Sequence, residues 1–386
     1  MFQTFRLLHI IAFIFSATSL CLCLEDPYII YTTKDFEDSA EKIALLHSQE
    51  LNTLTIYKED VNQDEFITYL NTTSFSGNKY LLIIGDETII SPPTAIFGDS
   101  DIECSNDYQT EYTDDLFNQN FITGRLLVKN NQEATDQINK IEAYILNSNF
   151  GAWKNKALLI ADDENNPDRP DIEEELKHTT YTDLIYHNRL KDKMIVNTLY
   201  GIDYKNNQSM FTDVIINSIN SGVGLINYIG HGTVNNLAHE DILILDRDIN
   251  LINTNNRPPI WVVGTCSFGK YSKNNNEISF AEELLKKSDA AIAIIATTEG
   301  IKPTDSFRYL DKLYHELSLH LDNSQDVRLG DIFQKAKNVN QVHICDRFKY
   351  QLFGDPALPI IIAKQVNDVE DINDVEYNKL FEIPNE

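Results

Sequence analysis

Seven short apolar runs recur along the chain, and amphipathic stretches with helical spacing separate several of them. The runs occupy residues 28–32, 80–84, 157–161, 194–199, 223–229, 260–263 and 290–296. Because their apolar residues are nearly continuous rather than alternating, they are typical of strands buried on both faces. The separating stretches occupy residues 38–51, 134–146, 208–220 and 279–287, and the last opens with Ser279 and Glu282, which have capping-box spacing. This alternation predicts an α/β fold in which parallel sheets carry helices on both faces.

The domain organisation follows from one interruption of this pattern. The segment 147–153, NSNFGAW, follows a helical stretch and precedes a new apolar run. We therefore expect an N-terminal α/β subdomain at residues 25–150 and a second subdomain at residues 151–365. Residues 366–386 contain seven acidic side chains and a single lysine, so we expect them to form a solvated or disordered tail without chemistry of its own.

The composition supports folded domains and restricts the partners. The chain has 386 residues, of which 42% are hydrophobic, enough to build cores rather than a disordered chain. It carries 59 acidic against 32 basic side chains, a formal net charge of −27. Because phosphate binding needs a basic surface, this charge argues against nucleic acid or an anionic membrane surface as the main partner.

The first 24 residues have the layout of an export signal. One basic residue, Arg6, precedes an apolar stretch at residues 7–24, and acidic residues follow immediately. This pattern predicts a signal peptide at residues 1–24, with a retained membrane anchor as the open alternative. We expect an exported protein, either secreted, periplasmic or at the cell surface, with no stable membrane insertion once the leader is removed.

Removal of the leader would also change the cysteine count. Of the five cysteines, two lie at positions 21 and 23, which leaves Cys104, Cys266 and Cys345 in the mature chain. In an oxidising compartment three cysteines suggest one disulfide and one free thiol. The spacing does not identify the pair.

Two reactive side chains each follow a predicted buried strand. One run leads directly into Gly230-His231-Gly232, and another leads into Gly264-Thr265-Cys266. Ligands and catalytic groups gather at the carboxyl ends of the strands in open parallel sheets. If the two strands are neighbours, His231 and Cys266 face one cleft, and a thiol beside an imidazole is the minimal apparatus for acyl transfer.

The residues around this pair suggest further roles. The backbone N–H groups of Gly232 and Cys266 are candidates for stabilising a tetrahedral oxyanion. The expected substrate-binding wall of the cleft consists of Gly230, Thr265, Ser267 and Phe268. Taken alone, neither residue requires a catalytic role. A histidine before a glycine is common in turns, and a buried cysteine often serves as a small apolar side chain.

Several segments resemble one peptidase family. LINYIGHGT at 225–233, WVVGTCSFGKY at 261–271, TDDLFNQNFITGRLLV at 113–128 and LFGDPALP at 352–359 are similar to landmarks of gingipain-type cysteine peptidases, which belong to the caspase-like clan. Within that family the resemblance is strongest to the branch of the sortase-like peptidase of the type IX secretion system. It extends over residues 28–362.

The resemblance implies roles for individual residues. His231 would be the general base and acid, and Cys266 the nucleophile. A third acid that orients the imidazole would be Asp162, Asp163 or Glu164, which share one loop. The resemblance does not decide among them; Asp163 and Glu164 are taken as the candidates, and solvated loop acids are the alternative. The resemblance also implies that the second subdomain is caspase-like, with the smaller N-terminal subdomain packed against it.

No required cofactor follows from the sequence. His315, Glu316 and His320 imitate a zinc-peptidase motif, but a separation of five residues places the two histidines on different faces of a helix. The acidic clusters at 99–101, 114–115 and 162–171 contain the oxygen ligands that calcium prefers. None has EF-hand spacing, so we expect solvated acidic loops and keep structural calcium as the alternative.

The sequence is compatible with two functions. The first is an exported cysteine endopeptidase with a protein or peptide substrate, acting through a thioester on Cys266, with a sortase-like maturation role in a secretion system as its narrower form. The second is a catalytically silent gingipain-like module that binds partners or secretion-system components.

Overall fold

Apolar runs of five or six residues form the central strands, and both faces of these strands are buried. In the strand at Pro27–Thr32, Tyr28 and Ile30 join a core cluster on one face of the sheet, whereas Ile29 and Tyr31 join a cluster on the other. The computed structural model describes residues 24–97, 109–146, 151–163, 176–205, 207–271, 278–323, 327–338 and 344–360. Within these residues the expected near-continuous burial is confirmed for six of the seven predicted runs and is wrong for the run at 194–199, which forms an edge strand with Ile195 exposed.

Sixteen strands are found in the described residues. They are β1 (Leu24–Glu25), β2 (Pro27–Thr32), β3 (Asn52–Tyr57), β4 (Phe75–Ser76), β5 (Tyr80–Ile84), β6 (Thr94–Phe97), β7 (Gln109–Tyr112), β8 (Ile122–Leu126), β9 (Lys156–Ala161), β10 (Ile195–Tyr200), β11 (Leu225–Ile229), β12 (Asn236–Leu237), β13 (Leu243–Ile244), β14 (Ile260–Gly264), β15 (Ala293–Thr297) and β16 (Tyr350–Phe353). Ten of them form one sheet in the order β10-β9-β11-β14-β15-β16-β8-β5-β2-β3. Neighbouring strands in this sheet are parallel, except that β16 runs antiparallel to β15.

Helices cover both faces of this sheet. They are α1 (Glu37–His47), α2 (Gln63–Thr72), α3 (Asn131–Leu146), α4 (Lys177–Ile185), α5 (Gln208–Asn220), α6 (Leu245–Asp248), α7 (Phe280–Lys286), α8 (Pro303–Asn323), α9 (Leu329–Lys337) and α10 (Ile344–Lys349). Helices α1, α8 and α9 contribute to the core on one face, and α2, α5 and α7 contribute to the core on the other. The predicted α/β class is therefore confirmed.

The N-terminal capping box of α7 is confirmed in detail. The Ser279 hydroxyl accepts a hydrogen bond from the Glu282 N–H at 3.2 Å, and the Glu282 carboxylate accepts one from the Ser279 N–H at 2.7 Å. Two otherwise unsatisfied donors at the helix end are thereby paired. Helix α2 begins with a second capping box, formed by Asn62 and Glu65.

Strands from both predicted subdomains lie in the same sheet. The segment before residue 147 supplies β8, β5, β2 and β3, and the segment after residue 150 supplies the other six strands. Strand β16 joins the two sets, because it pairs with β15 on one side and, through Phe353 and Arg125, with β8 on the other. The boundary near residue 150 remains a prediction, since residues 147–150 lie outside the described residues, as do residues 1–23 of the leader and the acidic tail.

A buried ionic network lies at this junction. The guanidinium group of Arg125 is completely buried and donates two hydrogen bonds to the Asp114 carboxylate, at 2.6 and 2.7 Å. The guanidinium group also donates to the carbonyls of Gly85 and Ile90, at 2.7 and 2.9 Å. The bidentate pair with Asp114 and the two carbonyls hold the buried charge through four hydrogen bonds.

The network corrects one expectation about the acidic clusters. The sequence predicts a solvated acidic loop at Asp114 and Asp115, but both are buried. Arg125 neutralises Asp114, and the ammonium group of Lys337 pairs with Asp115. Burial of two acids is tolerated here because each has a cationic partner. The cluster at 99–101 lies outside the described residues.

Two further findings concern the cysteines and the helices. Cys266 is a free thiol, whereas Cys104 lies outside the described residues, so the predicted disulfide stays a prediction. Across the part of the chain that the structure describes, no helix combines the length and the apolar character needed to cross a membrane.

Replacement of Arg125 by Met should destabilise the fold strongly. The change would leave the Asp114 carboxylate buried without its partner, so we expect the free energy of unfolding to fall by about 3–5 kcal/mol. Guanidinium chloride unfolding measures this change. Lys42→Met is the matched control, because the Lys42–Glu142 pair is more than a third exposed and its loss should cost at most about 1 kcal/mol. Equal effects of the two substitutions would contradict the assigned role of Arg125.

Candidate active site

Four neighbouring strands end at the same level of the sheet. Ala161 of β9 pairs with Ile229 of β11, which pairs with Gly264 of β14. On the far side of β14, Val263 pairs with Ala296 of β15. The loops that follow these strands therefore begin side by side at the carboxyl edge of the sheet, where open α/β folds bind their ligands.

The structure brings the predicted pair onto adjacent loops. His231 and Cys266 each lie two residues beyond the paired residues Ile229 and Gly264. Because neighbouring strands are about 4.8 Å apart, equal offsets along parallel strands start the two loops next to one another. The strands before His231 and Cys266 are therefore neighbours, as the sequence prediction requires. The catalytic role of the two residues remains a prediction.

The backbone of His231 is fixed from two sides. Its N–H donates to Asp162 Oδ2 at 3.0 Å, and its carbonyl accepts hydrogen bonds from the Tyr228 hydroxyl at 2.6 Å and the Ala238 N–H at 2.8 Å. Asp162 is itself held, because its N–H donates to the Ile229 carbonyl at 3.0 Å and its Oδ1 accepts from the Asp163 N–H at 2.8 Å. These contacts position the turn that carries the imidazole.

The His231 ring lies between two other imidazoles. The ring centroid of His178 is 5.1 Å away with the planes at 81°, and that of His239 is 4.2 Å away. Burial, with a smaller contribution from His239, lowers the pKa of His231 to about 4. Burial also lowers the pKa of His178 to about 3. His231 is therefore a neutral imidazole near pH 7, the form that can accept a proton.

The acid that contacts the His231 turn is Asp162. Burial is the main cause that raises the pKa of Asp162 to about 8, and the nearby acids Glu240 and Asp163 raise this pKa further. The hydrogen bond from the His231 N–H lowers it, but by less than burial raises it. The Asp162 carboxyl accepts from the His231 backbone N–H. It therefore fixes the turn through the main chain rather than through the ring.

The third catalytic acid stays a prediction. Of the two candidates, Asp163 is buried beside Asp162, and Glu164 lies outside the described residues. The expectation of solvated loop acids is wrong for Asp162 and Asp163, because both residues are buried just beyond the end of β9. The rest of the acidic cluster at 162–171 lies outside the described residues.

The loop after β15 forms a wall beside the thiol. The Cys266 Sγ lies 3.9 Å from the carbonyl oxygen of Ile301. Ser267, in the left-handed region with a φ of 57°, donates its N–H to the Glu299 carbonyl at 3.4 Å. A salt bridge of 2.6 Å between Lys270 and Glu299 joins the same two loops. These contacts hold Cys266 partly exposed at the end of β14.

The backbone N–H groups of Gly232 and Cys266 are the predicted oxyanion donors, and this role stays a prediction. Gly232 forms an antiparallel β-bridge with Leu237. The hydrogen bonds of this bridge are donated by the N–H groups of Thr233 and Ala238, so the Gly232 N–H is not used in the bridge. Among hydrogen bonds between described residues, neither the Gly232 N–H nor the Cys266 N–H donates to a backbone carbonyl. Both donors lie next to a predicted catalytic side chain.

Most of the predicted substrate wall is buried. Phe268 is completely buried and its ring stacks on Phe280 at 5.5 Å, and Gly230 and Thr265 are buried too. The part of these three residues in substrate binding stays a prediction. Ser267 keeps partial exposure.

Sequence reasoning missed several residues at this site. His178 lies near the start of α4, and Gly300 and Ile301 lie in the loop after β15. No local pattern marks His178, because tertiary packing alone brings α4 against the end of β9. The glycine after the strand in ATTEG at 296–300 was an available signal for the second loop.

Comparison with known proteins matches this fold to gingipains. The crystal structure of the Arg-specific cysteine proteinase gingipain R superposes with a TM-score of 0.67 at 19% identity, covering 86% of this chain and 78% of that chain. The complex of the pro- and mature domains of Porphyromonas gingivalis RgpB gives 0.66 at 19% identity, covering 86% of this chain and 79% of that chain. At these identities the likeness concerns the fold.

The sequence comparisons extend over most of the chain. Gingipain R2 of Porphyromonas gingivalis is 28% identical over 292 residues, which cover 72% of this chain and 37% of the relative. Gingipain R1 of the same organism is 28% identical over 292 residues, which cover 72% of this chain and 28% of the relative. The matched part of the chain thus spans 37% of the first relative and 28% of the second.

The fold is that of gingipain-like proteins. More specifically, residues 25–361 match the model of peptidase family C25, and the chain belongs to that family. The gingipain-type resemblance predicted from the sequence is confirmed.

Replacement of Gly230 by Ala should disturb the turn before His231. An added Cβ would approach the Tyr228 hydroxyl and the Asp162 Cβ far inside van der Waals contact. We expect the free energy of unfolding to fall by about 1–3 kcal/mol as the site is overpacked. Gly300→Ala is the control, since its added Cβ would meet only the Cys266 Sγ, at 4.0 Å, and the change should stay within about 0.5 kcal/mol. Chemical denaturation of both variants measures the difference, and equal stability would contradict the tight packing at Gly230.

Proposed function

We propose that this protein is an exported cysteine endopeptidase in which Cys266 is the nucleophile and His231 is the general base and acid. The observation that carries the proposal is the equal offset of these two side chains beyond the paired ends of β11 and β14. Family membership over residues 25–361 supports the reaction class.

The reaction would proceed in two steps. His231 takes the Cys266 proton, and the thiolate sulfur attacks the carbonyl carbon of the scissile bond. His231 then returns the proton to the leaving amine as the C–N bond breaks, which leaves a thioester on Cys266. In the second step His231 takes a proton from water, whose oxygen attacks the thioester carbonyl carbon. The C–S bond then breaks, the acyl group leaves as a carboxylic acid, and His231 returns the proton to the Cys266 sulfur.

The surroundings suit both steps. His231 is neutral near pH 7 and therefore has a lone pair for the thiol proton, although burial, which lowers its pKa, makes it a weaker base than a free imidazole. The N–H groups of Gly232 and Cys266 would donate to the tetrahedral oxyanion, a contribution typically worth about 3–4 kcal/mol per donor in related chemistry. Asp162 acts as a positioning residue in this proposal, because it holds the backbone of His231 rather than the imidazole.

The substrate would be a protein or peptide. The structural relative gingipain R is an Arg-specific proteinase, so peptides with a basic P1 residue are the first class to test. The sequence resemblance to the sortase-like branch extends the proposal to transfer of the acyl group to an amine within a secretion system. The product masses obtained with and without an added peptide amine separate hydrolysis from transfer.

Replacement of either member of the pair should abolish turnover. We expect Cys266→Ala and His231→Ala to lower kcat/KM on a peptide library by at least about 10³-fold, because the nucleophile or its base is lost. His187→Ala is the control, since this histidine is half exposed and pairs with Asp183. A thiol-directed peptidyl probe should label the wild type and not Cys266→Ala.

The same experiment addresses the alternative function. A catalytically silent module would show neither turnover nor probe labelling in the wild type. Full activity of folded Cys266→Ala would instead contradict Cys266 as the nucleophile.

Export would proceed through the leader at residues 1–24. Expression in a secreting host should yield a mature chain outside the cytoplasm that begins near residue 25, as determined by N-terminal sequencing. An intact N-terminus in the membrane fraction would favour the retained anchor.

A further inference from the structure

We propose that Asp162, His178 and His231 form a binding site for a zinc-like divalent cation whose occupancy blocks the His231 imidazole. Each residue offers one ligand atom, and these three atoms lie within 4.8 Å of one another. Two imidazole nitrogens and one carboxylate oxygen are a ligand set that zinc accepts, with a fourth position left for water.

The spacing is close to what such an ion requires. Ligand atoms about 2.05 Å from a tetrahedral ion are about 3.3 Å apart. His178 Nδ1 lies 3.9 Å from Asp162 Oδ2, and the other separations are at most 4.8 Å. Contraction by less than about 1.5 Å therefore suffices, which is within the reach of side-chain rotation.

The three residues lie on separate, packed parts of the fold. Asp162 follows β9, His178 lies in α4 and His231 follows β11. Asp162 and His178 are 2% and 4% exposed, respectively, so packing restricts the positions of their ligand atoms.

Occupancy would have a direct chemical consequence. The cation would take the ring lone pair of His231 that otherwise accepts the Cys266 proton. Binding of the cation concerns the three residues alone, whereas inhibition by it rests on the proposed function. The two parts therefore need separate measurements.

Binding is tested in full-length Cys266→Ala, which removes the thiol as a competing ligand. Isothermal titration with Zn²⁺ should give one site, and Co²⁺ should give visible d–d absorption. Addition of His178→Ala should weaken Zn²⁺ binding by about tenfold or more. His187→Ala and His239→Ala in the same background are controls, since neither belongs to the set, and both should retain binding. Thermal unfolding checks each variant, and His178→Gln replaces His178→Ala if the alanine variant does not fold.

Several outcomes would overturn the site. Zn²⁺ binding that is unchanged without His178, or binding to wild type that disappears in Cys266→Ala, would assign the metal to other ligands. Loss of Zn²⁺ binding in the His239→Ala variant alone would also assign the metal to other ligands. Binding of Ca²⁺ in place of Zn²⁺ would favour the neighbouring carboxyl set of Asp162, Asp163 and Glu240.

Inhibition is measured separately in the wild type. Zn²⁺ should lower peptidase activity, EDTA should restore it, and the concentration for half inhibition should rise about tenfold or more in His178→Ala relative to that variant's own metal-free rate. An active enzyme that binds Zn²⁺ through His178 without loss of activity would overturn the blocking role. An inactive wild type that still binds Zn²⁺ would contradict the proposed function and leave the binding site supported.

Discussion

The parallel register of β9, β11 and β14 is the constraint on which the site depends. The pairing of Ala161, Ile229 and Gly264 places three loops at one level, and the buried apolar faces of the strands hold that pairing. A slip of one residue would turn each inward side chain to the opposite face of the sheet and carry His231 away from Cys266. The geometry proposed for acyl transfer is thus a consequence of core packing.

Burial then sets the chemical state of the side chains at this edge. A carboxyl group and several imidazoles share a space with little water, which lowers the pKa of His231 to about 4 and raises that of Asp162 to about 8. Such an arrangement costs stability, because buried polar groups lose hydration, and shifts of this kind are concentrated at functional sites. The same neutral nitrogens that suit proton transfer also suit a metal ion, which links the proposed activity to the proposed inhibition.

The N-terminal half supports the loop that carries the thiol. Arg125 on β8 lies 5.3 Å from the ring centroid of Tyr271, which follows the Cys266 loop, and Tyr271 packs edge-on against Phe353 of β16. The buried pair of Arg125 with Asp114 therefore lies directly behind the site. Because the sheet is continuous, strands from the first half of the chain pack against and support loops in the second half.

The sequence by itself determined the α/β class, seven of the strands of the sheet, the capping box at Ser279 and the positions of His231 and Cys266 at strand ends. These features follow from local apolar patterning and chain spacing, which need no knowledge of the rest of the fold. The sequence did not reveal β16, because this strand has only four residues and Gln351 is one of them. It also did not reveal the burial of Asp114. Only the tertiary structure decided that Phe268 faces the core, that Asp162 holds the His231 backbone and that His178 lies beside it. The reason is that such contacts join residues far apart in the chain, and the packing of α4 against β9 and β11 has no signature in either segment alone.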